Sequence, residues 1–176
     1  MSPLRDVAGT VPDCAKGRFD SPRLVARTLE VARVHAERHG INGGASSGSP
    51  ADDVPHPLVP ALGSRSVSTF LVGDEDTAAA MGHPDVSMTV LGSPRIGLWF
   101  EIATSPLMPD IDAGVQHVGV GLVVHHVGMA NVGDEVRVGV EVLGGRGRTV
   151  QFGCDAWCDG RLIASGAHHR VLLRSP

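Results

Sequence analysis

A chain of 176 residues with a net charge of -4 has room for one domain with a true core, or for a smaller domain with a tail. Its 15 lysines and arginines are scattered and tyrosine is absent, so neither the basic stripe nor the stacking platform of a nucleic-acid binder can be drawn. No apolar stretch approaches a membrane span, no signal-peptide core opens the chain, and three cysteines are too few for a disulfide framework; the expectation is a cytoplasmic protein with reduced thiols and no nucleic-acid or membrane partner.

Residues 1–20 carry Pro, Gly and Asp without periodicity. Ser21-Pro22 is a helix-start signature, and a helix over about 22–39 runs through Leu24, Val25, Leu29, Ala32 and Ala36 to a left-handed stop at Gly40. From Ile41 to Gly63 the composition turns to Gly, Ser, Pro and Asp, as in a flexible linker. The chain therefore divides into an N-terminal helical and flexible extension, 1–63, and a folded domain, 64–176. Ser68 to Val72 reads as a short strand, and Asp74 to Met81 as a short helix or turn.

Leu91 to Ala103 is the central helix. Ser93-Pro94 starts it, because the serine oxygen can accept from the orphan amides of the first turn and proline has no amide to lose there. Ser105-Pro106 stops it after about three turns. Ile96, Leu98, Trp99, Phe100, Ile102 and Ala103 point almost all round, so the helix is expected to be buried. Glu101 lies inside this run. A buried carboxylate must be paired, protonated or used; the alternative is a glutamate on one exposed stripe.

Beyond a proline-bearing loop at residues 106–114 the pattern turns to strands. Val118, Val120, Leu122 and Val124 alternate with His117, Gly119 and Gly121; Val136, Val138, Val140 and Val142 alternate with polar residues; Val150, Phe152, Cys154, Ala156 and Cys158 share a face. Gly144 to Gly147 and Asp159-Gly160 read as hairpin turns, and Leu162 to Leu173 as the last long strand. One buried helix followed by an antiparallel meander is an α+β arrangement with the sheet wrapped around the helix.

His126 shares the parity of Val124, which places it on the helix side of its strand, with His125 facing away. Ser93, Glu101 and His126 then sit at or beside the helix-sheet interface. A carboxylate as base or nucleophile, an imidazole to move protons and a hydroxyl to position form an acyl-transfer set. Glycines at 119 and 121 weaken a strand unless something approaches its backbone, such as a thioester or a neighbouring subunit; a bulge is the alternative. Cys154 and Cys158 with His168 and His169 make a poor zinc set, because four residues of strand hold the thiols roughly 13 Å apart. No metal site is expected.

The run Val90-Leu91-Gly92-Ser93-Pro94-Arg95-Ile96 leading to Glu101, Val118-Gly119-Val120 leading to His126, Gly133, Gly144 to Arg148, and Ala164-Ser165-Gly166-Ala167-His168-His169-Arg170 together resemble the hot-dog-fold thioesterases, in particular the fluoroacetyl-CoA thioesterase-like subgroup. The resemblance covers about Val67 to Leu173. It implies a hot-dog fold and a homodimer, or dimer of dimers, with active sites at the subunit interface. The family's threonine, glutamate and histidine fall on Ser93, Glu101 and His126. Its strand glycine falls on Gly119, near the thioester carbonyl, and its arginine on Arg170, which would bind the CoA or steady the site. Serine replaces threonine at 93, and His169 stands where the family often has an acid. The implied activity is hydrolysis of an acyl-CoA thioester with a small acyl group; CoA is part of the substrate and no cofactor is needed. The rival from another class is a non-catalytic acyl-CoA binding module on the same fold.

Overall fold

The computed structural model describes residues 56–85, 87–109 and 115–173. The helix expected over 22–39 and the linker as far as residue 55 lie outside the described residues. Five strands, β1 (Arg65–Leu71), β2 (His117–His126), β3 (Glu135–Arg146), β4 (Thr149–Cys158) and β5 (Arg161–Leu172), form one sheet in the order β1-β3-β4-β5-β2, each pair antiparallel. One helix, α1 (Ser93–Thr104), lies against a single face of it. Residues just before β1 belong to this unit: the His56 amide donates to Gly147 O at 2.6 Å and the Gly63 amide to Val142 O at 2.9 Å.

The packing face follows the alternation of the strands. Val136, Val138, Val140 and Val142 of β3, and Val150, Phe152, Cys154, Ala156 and Cys158 of β4, are all buried beneath Ile96, Phe100 and Ala103 of α1. Phe70 of β1 stacks on Trp99 with ring centroids 4.8 Å apart. Removing each large side chain from water contributes about 1.5–3 kcal/mol. Leu98 is the exception on the helix, left 43% exposed.

Both tight turns depend on left-handed backbone. Asp159 and Gly160 take φ of 49° and 71° and join β4 to β5 directly. The β3–β4 turn is tighter than the glycine run suggests: the strands continue through Gly144 and Gly145, and only Gly147 (φ 52°) and Arg148 lie between them.

The main departure from simple alternation is in β2. Gly119 pairs with Arg170 while Gly121 pairs with His169, so Val120 is an extra residue and the strand is bulged there. Gly119, Leu122, Val124 and His126 consequently share the helix face, and Val118 lies opposite Val171 on the other face. A single face for Val118, Val120, Leu122 and Val124 is thereby corrected: an inserted residue reverses the parity on one side of it.

At Gly166 of β5 an added Cβ would collide with the Val123 carbonyl of β2 and sit 2.9 Å from Phe100 Cε2 of α1. Gly166→Ala is expected to lower stability by about 1–3 kcal/mol. An unchanged melting temperature in calorimetry would show that the helix has slack there.

Candidate functional site

Two clusters of polar side chains stand at the two ends of α1. The start of the helix is fastened by bonds that come from sequence far apart. The Gly92 amide donates to Asp76 O and the Leu91 amide to Ala130 O, both at 2.9 Å, and Arg95 Nε lies 2.6 Å from Asp76 Oδ1. Gly92 is the N-cap, Ser93 the first helical residue, and no side chain caps the helix. The capping role expected of Ser93 is thus corrected. Its Oγ is instead 2.9 Å from His126 Nδ1. His126 sits at the end of β2, where the chain turns onto Ile163 through the amides of Val127 and Gly128. Desolvation lowers its pKa, partly opposed by a backbone bond to Gly128. It is neutral at pH 7, and its Nε2 has no partner among the described residues.

The far end of α1 is held by Arg170 of β5. Its Nη1 donates to Glu101 O (2.9 Å), Thr104 Oγ1 (3.0 Å) and Ser105 Oγ (3.0 Å), and its Nη2 to His117 Nδ1 (3.0 Å). Arg170 is only 4% exposed. Burial lowers its pKa while Glu101 opposes that shift. His117 is held in the neutral form by burial and then by the adjacent guanidinium. His168, two residues before Arg170 on the same face, is buried with its Nδ1 3.2 Å from Thr104 Oγ1. Burial first, then Arg170 and His169, bring its pKa down to about 4.

Gly119 belongs to this second cluster because of the bulge. A Cβ there would lie 2.8 Å from His168 Nε2 and 3.2 Å from Glu101 Oε1. The five residues singled out in the sequence therefore divide in two: Ser93 with His126 at one end of α1, and Glu101, Gly119 and Arg170 at the other. Eight residues of helix separate Ser93 from Glu101 by about 12 Å, too far to act on one bond within one chain. Arg170 directs its guanidinium at the end of the helix, not at solvent.

Thr104, His117 and His168 were not singled out as a site. The alternation of Ala164, Gly166, His168 and Arg170 carried a signal for His168. Nothing local in the sequence pairs Thr104 with a residue 64 positions away. Cys154 and Cys158 are buried in the core, and no three His, Cys, Asp or Glu converge as a metal site among the described residues. No helix among them is long and apolar enough to cross a membrane.

Residues 72–175 match the FlK family, described as fluoroacetyl-CoA-specific thioesterase. No curated protein matches the chain. Among solved structures, a threonine-to-serine mutant of the fluoroacetyl-CoA thioesterase FlK in complex with acetyl-CoA is similar at 23% identity, covering 64% of this chain and 89% of that one, with a TM-score of 0.59. A hot-dog-like protein from Thermanaerovibrio acidaminovorans is 21% identical, covering 67% and 86%, with a TM-score of 0.59. A thioesterase superfamily member from Thermus thermophilus is 21% identical, covering 68% and 87%, with a TM-score of 0.58. The fold is the hot-dog fold.

The depressed pKa of His168 has a stability consequence. Its folded value of about 4 lies below the ordinary 6.5, so between the two the unfolded chain takes up a proton that the folded chain refuses. This term is absent above pH 6.5 and destabilises increasingly as pH falls towards 4, reaching about 3 kcal/mol. His117, His126 and His169 shift in the same direction. Urea midpoints are expected to fall between about pH 7 and 4.5, and His168→Asn to flatten the slope. An equal slope in the variant would remove His168 as its main source.

Proposed function

Because this chain belongs to the FlK family of fluoroacetyl-CoA-specific thioesterases, we propose that it hydrolyses a short acyl-CoA thioester at composite sites formed by two copies of the chain. The observation that carries the reading is the division of the polar residues between the two ends of the same helix and the same edge strand. Gly97 lies midway between Ser93 and Glu101, and Leu122 and Val123 lie midway between Gly119 and His126. β2 is an edge strand, and Leu122 on its helix face is 45% exposed. A second copy pairing antiparallel along β2 with the two-fold axis at Val123 brings His126 of the partner subunit to the bulge beside Gly119 and the partner's Ser93 towards Glu101. Each two-fold dimer then has two complete sites.

In each site Glu101 is the base that draws a proton from water, and the water oxygen attacks the thioester carbon. The oxyanion is steadied by the positive end of the partner helix and by backbone near Gly119. As the carbon-sulfur bond breaks, the proton taken by Glu101 returns to the departing sulfur through the Ser93–His126 pair. The products are a carboxylic acid and free CoA. The tight approach over Gly119 favours a short acyl group.

Thiol release from short, branched, aromatic and long acyl-CoAs tests this. Glu101→Gln is expected to lower kcat by about 10²–10⁴-fold while the dimer remains intact. Binding of acyl-CoA without turnover by the wild type would favour a binding module instead. Co-expression of Glu101→Gln with His126→Ala chains tests the composite site: mixed dimers contain one intact site, so activity should return to about a quarter of wild type. No recovery in verified mixed dimers would place the site within one chain.

A further inference from the structure

The Glu101 end of the site holds a histidine whose hydrogen-bonding state is fixed by its neighbours. Thr104 has one hydroxyl proton. Its Oγ1 lies 2.8 Å from Glu101 O, a carbonyl that can only accept, so the proton points there. Arg170 Nη1, which can only donate, is 3.0 Å from the same hydroxyl. The remaining lone pair of Thr104 faces His168 Nδ1 at 3.2 Å, and the ring must donate to it. His168 is therefore the Nδ1-H tautomer, and with its pKa at about 4 it is neutral under ordinary conditions. Its Nε2 carries a bare lone pair.

That lone pair and Glu101 Oε1 meet at one place. Both stand over the same side of Gly119: a Cβ built there would be 2.8 Å from the first and 3.2 Å from the second, so the two acceptors are close enough for one water, seated clear of the Cα, to bridge them. Gly119 is itself exposed, so solvent reaches the backbone beneath these two groups. Two acceptors converging on one place select a ligand with two donor hydrogens, and water is the smallest. We infer that His168 is a further catalytic residue, which holds the hydrolytic water between its Nε2 and Glu101 Oε1 and so aims the water's free lone pair at the thioester carbon. The inference rests on the reading of Glu101 as the base.

The step balances. Water gives one hydrogen to Glu101 and keeps the other, directed at His168 Nε2. Its oxygen forms the new bond to carbon, and the hydrogen held by His168 stays on the hydroxyl of the product acid. The electrons of the carbon-sulfur bond leave with the thiolate, which receives the proton from Glu101. His168 gains and loses nothing, so its neutrality is what the role requires. Arg170 acts at one remove, as the positioning residue that fixes Thr104 and through it the tautomer.

His168→Asn and His168→Gln separate this role from packing. Asparagine can set its amide nitrogen near the Nδ1 position and keep the bond to Thr104, but leaves nothing in place of Nε2. Glutamine can carry an amide oxygen towards Nε2. With the dimer intact, His168→Asn is expected to lose about 10²-fold in kcat with KM within about threefold of wild type, and His168→Gln to recover part of the loss. Wild-type kcat in His168→Asn overturns the inference. Should that variant not fold, ¹⁵N spectra of histidine-labelled wild type decide: a neutral Nδ1-H ring at His168 is expected, and an Nε2-H ring or an imidazolium overturns it. Loss of activity in Glu101→Gln with an indifferent His168→Asn removes this inference alone. Full activity in Glu101→Gln, or no turnover of any acyl-CoA by wild type, removes the proposed function and this inference with it.

Discussion

The structure depends on a buried cation at the end of α1, the one long helix among the described residues. Arg170 takes its guanidinium into the space between α1 and the sheet, where an unpaired charge would cost several kcal/mol. The cost is offset because the helix ends there: the Glu101 carbonyl, the hydroxyls of Thr104 and Ser105 and the His117 imidazole all accept from it. A cation is also favoured near a helix C-terminus by the helix dipole. The same contacts that make the charge tolerable fix where the helix stops relative to β5. They therefore fix the height of Glu101 over Gly119.

The opposite end of α1 is organised by different means. There a serine that stands at the helix start gives its side chain to His126 and leaves the backbone amides of the first turn free of a side-chain cap. A cap would contribute about 1 kcal/mol to the helix. Its absence leaves an uncapped positive end beside a hydroxyl and a neutral imidazole, which is the environment an oxyanion needs. One end of α1 thus presents acceptors and the other presents donors. The two ends are spaced along one helix and beside one edge strand, β2.

The bulge at Val120 connects these two facts. Without it, Gly119 and His126 would lie on opposite faces of β2, and no two-fold pairing would join their clusters. With it, both face the helix, and a residue without a side chain stands where Glu101 and His168 converge. An alanine at this place would put a carbon in contact with both polar groups. The glycine is thus explained by the close approach of two polar side chains, and the bulge is the device that delivers it.

Much of this was legible in the sequence, and for identifiable reasons. Hydrophobic periodicity of 3.6 or 2 is a local property, so α1, the valine-rich β3 and the alternating β4 could be read directly, as could the stop at Ser105-Pro106 and the Asp159-Gly160 turn. The spacing of Ser93, Glu101, His126 and Arg170 carried the family likeness. What the residues alone could not give was anything resting on a single inserted residue or a long-range contact. The bulge has no signature beyond two glycines, so simple alternation misplaces Val118 and Val120. The β3–β4 turn settled on Gly147, because cross-strand pairing keeps Gly144 and Gly145 in the ladder. Side chains decided by tertiary contact, Ser93 turning from its own helix to His126 and Thr104 meeting His168, joined positions far apart in the chain. Local pattern settles which elements form and which residues are equipped for chemistry; which of those residues meet follows from register and helix height, and these are set by contacts between strands and helix and not within either.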